Sequence, residues 1–167
     1  KTMEYPYQLA TFIASDPRVG EPVYGGENGW YPQIALKRRF KLEGISEDEL
    51  IAQIEAYCAA RSAFTVKTSE LIKPERMPVR IIEIDHSPEL VDFHTGFITT
   101  MGNTIQSRYP ERDGGNYLPH ITAEYGGKMV IEPNDFKNRD IHIKKIWLLK
   151  DIDNQDSKAY KAFTLGK

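Results

Sequence analysis

At 167 residues, with 40% hydrophobic and 28% charged residues, the chain has the length and composition of one globular domain and lacks the polar bias of a disordered segment. Its 22 basic and 24 acidic residues leave a net charge of −2, so no long-range field draws it to nucleic acid, and any such contact must come from a local basic patch. The single cysteine, Cys58, excludes an internal disulfide, no apolar run approaches the roughly 20 residues that span a bilayer, and no signal-peptide pattern opens the chain; it reads as cytoplasmic and independent of membranes.

Residues 7–14 are rich in β-formers and predict a first strand. Residues 16–29 hold Gly20, Gly25, Gly26 and Gly29 with two prolines and predict a loop long enough to serve as a lid. No Gly-Lys-Ser/Thr follows these glycines, so this is not a phosphate-binding loop. A second strand is expected over 30–40. Ser46 and Glu49 have the spacing of a capping box, and Leu50, Ile51, Ile54, Tyr57 and Cys58 fall on one face of the helix behind it. Residues 64–72 predict a strand and 73–78 a turn.

The second half repeats the grammar. A strand over 79–85 leads to Ser87 as N-cap and Pro88 as first helical residue. Leu90, Phe93, Phe97, Met101 and Ile105 continue at helical spacing. A polar loop over 108–116 precedes a strand over 117–125, and strands over 141–149 and 160–165 close the chain. No linker divides it, so residues 1–167 are expected to form a single two-lobed α+β domain.

Two segments match in pattern. Tyr31-Pro32-Gln33-Ile34-Ala35-Leu36-Lys37 and Leu118-Pro119-His120-Ile121-Thr122-Ala123-Glu124 both read apolar-Pro-polar-Ile-small-apolar-charged. Strand alternation puts Pro32, Ile34 and Leu36 on one face and Gln33, Ala35, Lys37 and Arg39 on the other. In the second segment Pro119, Ile121 and Ala123 oppose His120, Thr122 and Glu124. Each motif belongs to a half with one long helix, which suggests a duplication about a pseudo-twofold axis, with the polar faces meeting across a groove between residues 30–72 and 79–125.

These motifs, the order of elements and the Phe163-Thr164-Leu165-Gly166 tail resemble the two-histidine phosphoesterases, a superfamily that includes 2′-5′ RNA ligases and cyclic phosphodiesterases. That family carries a His-X-Thr/Ser motif in each lobe. Here the second motif, His120-Ile121-Thr122, is intact, while Gln33 and Ala35 stand in the first where the family has His and Thr or Ser. The resemblance implies a nucleotide or RNA end with a 2′-5′ or 2′,3′-cyclic phosphodiester as partner, and no metal or organic cofactor. It makes His120 the remaining acid or base, Thr122 a phosphate ligand, Gln33 a neutral hydrogen-bond partner and Lys37 a source of positive charge. Strand alternation adds Arg39 as a candidate phosphate contact, against a solvated face, and Tyr125, flanking the second motif, is a candidate stacking residue for a base, against ordinary strand packing.

Gln33 cannot carry a proton at neutral pH and Ala35 has no polar atom, so only half of an acid/base pair is visible. Two alternatives follow: an inactive relative that binds nucleotides or RNA, and a protein-interaction domain using the 16–29 loop. His94 and His142 are read as structural and Cys58 as core. His86 is read as a loop residue, and Asp151, Asp153 and Asp156 as a solvated turn. No Cys or His spacing marks a zinc site.

Overall fold

The computed structural model describes residues 4–25, 29–85, 87–153 and 157–166. The strands are β1 (Tyr7–Phe12), β2 (Gln33–Leu42), β3 (Phe64–Ile72), β4 (Ile81–Ile84), β5 (Ile105–Ser107), β6 (His120–Thr122), β7 (Glu124–Tyr125), β8 (Lys128–Met129), β9 (Asp140–Ile143), β10 (Lys145–Asp151) and β11 (Ser157–Thr164). Two helices, α1 (Glu47–Ala59) and α2 (Pro88–Met101), complete the α+β fold. Among the described residues the main sheet has nine strands in the order β11-β10-β1-β2-β6-β4-β3-β9, with β5 added to β2; β7 and β8 form a separate hairpin.

This order has a centre. β2 and β6 meet antiparallel at Ile34 opposite Ile121, and four strands of that order lie on either side of the seam. Both isoleucines are fully buried, so the middle residue of each motif anchors its strand in the core and the flanking residues project from the opposite face. The lobes are not consecutive stretches of chain, as the sequence suggested. β3 follows α1 but crosses to the side of β4 and β6, and β10 and β11 return to the side of β1 and β2. The single strand expected over 141–149 is for the same reason two: β9 pairs with β3, and after Lys144, β10 pairs with β1.

Helix α1 starts where its capping box predicts: Ser46 accepts from the Glu49 N–H and Glu49 accepts from the Ser46 N–H. Its first-turn Glu47 accepts hydrogen bonds from Tyr7, Lys150 and Tyr160, fastening the helix to β1, β10 and β11. Helix α2 carries Pro88 in its first turn, but Ser87 makes no side-chain cap. The helix stops at Met101 because Gly102 adopts φ +52°, which glycine tolerates best. Ile105, expected in the helix, instead begins β5. The helices bury Leu50, Ile54, Tyr57, Cys58, Phe93 and Phe97 against Leu9, Ile34, Leu36 and Phe40 of the sheet. The tail explains itself by packing: Phe163 and Leu165 are buried, and a side chain on Gly166 would lie 2.3 Å from the Ala59 carbonyl oxygen.

The opposite face has a smaller core of Ala10, Val23, Trp147, Leu149 and Ala159. Val23 reaches it because the 16–29 loop is stitched to β11. Gly20 and Val23 donate to the Ala159 and Ser157 carbonyls at 2.7 and 3.1 Å, and the Ala159 N–H donates to Glu21 at 2.9 Å. Up to Tyr24 the expected lid is therefore fixed in place, while Gly26, Glu27 and Asn28 of it lie outside the described residues.

Candidate active site

Continuing the antiparallel register from Ile34 opposite Ile121 sets Gln33 across from Thr122 and Ala35 across from His120. The two motifs thus lie side by side, with positions 33 and 120 on a diagonal, a separation of roughly 7–8 Å in a regular sheet. Only His120–Thr122 of the expected 117–125 strand joins the ladder. Pro119 has no N–H to give, and the Tyr117 hydroxyl instead donates to the Ala35 carbonyl at 2.7 Å.

His120 and Thr122 border a cleft of about 710 Å³, and His120 with Ala35 also borders a neighbouring cavity of about 260 Å³. The half-buried His120 ring has Nδ1 2.8 Å from the Leu118 carbonyl oxygen. A carbonyl only accepts, so Nδ1 carries the hydrogen and Nε2 holds the lone pair. Burial, then the positive charges of Arg38 and Arg112, push its pKa down to about 4 against the pull of the Leu118 bond. His120 is a neutral base at pH 7.

The basic residues do not follow simple alternation. β1 and β2 change register between Tyr7 and Leu9 and again between Leu9 and Ala10, so that Leu9 faces Lys37 while Ala10 faces Ala35. These shifts exchange the faces of Lys37 and Arg38. Lys37, expected in the groove, turns inward beside Leu9, is 1% exposed and pairs with Asp113 at 3.0 Å. Burial lowers its pKa while Asp113 opposes this. Arg38 takes the groove position and borders both cavities, as does Arg112. Among the described residues neither guanidinium has a carboxylate within ion-pair distance.

Arg39 also borders the cleft, but its guanidinium is spent on Asp151 at 2.6 Å, with Tyr5 O and Ser157 Oγ completing its bonds. Asp151 is fully buried, which corrects its reading as part of a solvated turn; Asp156 and His86 lie outside the described residues. Lys37 and Arg39 therefore act on the framework. Lys37→Met and Arg39→Met each strand a carboxylate and should cost about 3 kcal/mol, seen in thermal unfolding as a Tm lower by roughly 6–12 °C.

What Lys37 holds is the 108–116 loop that carries Arg112. Ser107 Oγ donates to Asp113 at 2.5 Å. His94 Nδ1 donates to the Leu36 carbonyl at 2.7 Å and Nε2 accepts from the Gly114 N–H at 3.0 Å. With both nitrogens satisfied and its ring stacked 4.0 Å from Tyr117, His94 is a buried neutral strut, held below its usual pKa by burial. His142 lies apart, bonded to Thr65 on the β9–β3 pair.

The first motif is covered. The Tyr24 hydroxyl donates to Gln33 Oε1 at 3.3 Å, and Gln33 Nε2 is buried with no partner among the described residues. Tyr24, Trp30 and Tyr125 form a continuous run of rings, with centroids 4.9 and 5.0 Å apart, along the large cleft. Tyr125 is 63% exposed at its rim. Sequence reasoning missed Arg38, Arg112 and Tyr24. The run Lys37-Arg38-Arg39 signalled positive charge, but nothing in it showed which member the register shifts would turn outward. Among the described residues no group of three or more His, Cys, Asp or Glu side chains is placed to hold a metal ion.

No family model and no curated protein matches the chain, but solved structures do. A phosphoesterase matches with a TM-score of 0.60 at 16% identity, over 98% of this chain and 99% of its own. E. coli LigT complexed with 3′-AMP matches with 0.61 at 15%, over 98% and 99%. A protein of Thermus thermophilus matches with 0.54 at 13%, over 96% and 98%. LigT has also been solved with ATP and with NADP+. The chain shares the two-lobed α+β fold of that phosphoesterase and of LigT. LigT, solved with 3′-AMP, ATP and NADP+, shares that fold along nearly the whole length of this chain.

Proposed function

We propose that the cleft binds a nucleotide or RNA end carrying a 2′-5′ or 2′,3′-cyclic phosphodiester, and that His120 performs the proton transfer that opens it. The observation that carries this reading is the meeting on one cleft of His120, Thr122 and two guanidiniums, Arg38 and Arg112, that have no carboxylate partner among the described residues. A neutral imidazole takes a proton from water as it attacks phosphorus, the threonine hydroxyl bonds a phosphoryl oxygen, and the guanidiniums hold the charge that builds there. The nucleotide complexes of LigT support a nucleotide as ligand, and the Trp30–Tyr125 rings offer a base a face to lie on.

A strand longer than one nucleotide is favoured by what lies beyond Arg38. Arg38 sits 5.5 Å over Tyr109, Arg108 5.4 Å over the same ring and 5.7 Å over Tyr5, and Lys41 5.2 Å over Tyr5. The Tyr109 and Tyr5 rings thus link Arg38, at the cleft, with Arg108 and Lys41, which supply positive charge for further phosphates. A second reading, binding without turnover, draws on Gln33, which has no proton to move and lies beneath Tyr24.

Titrating the protein with a ribonucleoside 3′-monophosphate and following His120 and Thr122 by NMR tests the common ground. Both resonances should move, and the imidazole pKa should rise as the phosphate binds. Unmoved resonances at millimolar nucleotide would end both readings, while movement with no turnover of a cyclic nucleotide would select the second.

A further inference from the structure

Opening a phosphodiester needs a proton for the leaving ribose oxygen as well as a base for water, and the first motif holds no residue that titrates near neutrality. We propose that the Tyr24 phenol is the missing proton donor, so that this site pairs a histidine base with a tyrosine acid; the proposal rests on the functional reading above.

The geometry begins with position 33. It lies diagonally from His120 across the β2–β6 seam, and a Gln carboxamide extends about as far from the backbone as an imidazole does. The Tyr24 hydroxyl sits 3.3 Å from that carboxamide and its ring borders the same cleft as His120 and Thr122. The phenol therefore lies one hydrogen bond beyond the site where a second imidazole would act. It is also held firmly. Val23 beside it is fully buried against Trp147 and Leu149, and the Tyr24 ring leans on Trp30.

The unpartnered Gln33 Nε2 gains a purpose in this arrangement. A buried amide donor with no acceptor among the described residues costs about 1–3 kcal/mol, and the proton transfer gives it one. Before transfer the carboxamide oxygen accepts from the phenol. After transfer, rotation of the amide brings Nε2–H to the phenolate, and the same residue stabilises both forms. Burial holds the Tyr24 pKa above that of a free phenol, while Arg39, Gln8 and Arg38 pull it down against burial and Asp151. The group is thus protonated at neutral pH, and it has cations at hand for the anion it becomes. An alkoxide is more basic than a phenolate, so the transfer runs downhill once the P–O bond has lengthened.

The step balances. Water oxygen bonds phosphorus and its proton goes to His120 Nε2. The bond from phosphorus to the ribose oxygen breaks, and that oxygen takes the Tyr24 proton. Imidazolium and phenolate then exchange a proton through solvent and return the site to its starting state.

The test uses two esters of unlike leaving group, a 2′,3′-cyclic nucleotide and a nucleotide p-nitrophenyl diester, whose nitrophenolate departs without protonation. Tyr24→Phe keeps the ring against Trp30 and removes the hydroxyl that carries the proton. It should lower kcat on the cyclic ester by about 100-fold or more and change the nitrophenyl ester by less than about threefold. Equal effects on the two esters, with His120→Ala inactive on both, overturn the role of Tyr24 and leave the reading beneath it standing. Wild-type protein that turns over neither ester, or His120→Ala that turns over the cyclic ester at the wild-type rate, overturns that reading and this proposal together.

Discussion

His120→Ala is expected to lower turnover of a 2′,3′-cyclic nucleotide by about 10²- to 10⁴-fold, the usual worth of a positioned acid or base. The loss should fall on kcat, because alanine leaves Arg38 and Arg112 in place to hold the phosphate. The pH profile gives a sharper signature. Burial and the two guanidiniums depress the His120 pKa to about 4, below the ordinary 6.5 or so of a histidine. With the neutral ring as the proposed base, kcat/KM should stay level as pH falls through 6.5 and decline only as the pH nears 4. A bound phosphodiester brings negative charge beside the ring and favours imidazolium. The acid limb of kcat should therefore lie at higher pH than that of kcat/KM. A kcat/KM limb near 6.5 would show that the imidazole acts in an open, solvated setting, against the geometry of the Leu118 bond.

The second large effect concerns binding. Arg38→Ala and Arg112→Ala should each weaken nucleotide monophosphate binding by about 1.5–3 kcal/mol, or roughly 10- to 150-fold in Kd, measured by calorimetry at fixed salt. Removing Arg112 also takes a positive charge away from His120, so its pKa should rise in that variant. Lys37→Met provides the contrast. It should destabilise the protein while moving Kd far less, because the ammonium is bonded to Asp113 and does not line the cleft. Equal Kd losses for Lys37→Met and Arg38→Ala would contradict the exchange of faces in β2.

Much of the fold was legible because local signals and tertiary packing agree. The capping box at Ser46 opens α1, and the β-branched and aromatic run over Phe64–Ile72 is β3 to the residue. His120 and Thr122 were legible as a pair because an undistorted three-residue strand obeys alternation. Lys37 failed for the opposite reason. Alternation assumes one residue per step, and the two register shifts opposite Leu9 break that count, with no glycine or proline between Leu36 and Phe40 to announce them. Tyr24 was hidden because its place depends on Val23 finding a small core with Trp147 and Ala159, a contact across more than a hundred residues. Asp151 looked like a turn carboxylate until Arg39 arrived from β2 to bury it.

The crossing of β3 and the return of β10 and β11 bear on how such a chain could be divided. Severed in the 73–80 turn, it would yield an amino-terminal piece holding β1, β2 and β3 and a carboxyl-terminal piece holding the other strands. Neither piece contains all the strands on one side of the Ile34–Ile121 seam, and each leaves strand edges bare that only its complement covers. The two segments of like pattern therefore do not mark separable modules: each side of the seam is completed by strands from the other half of the chain.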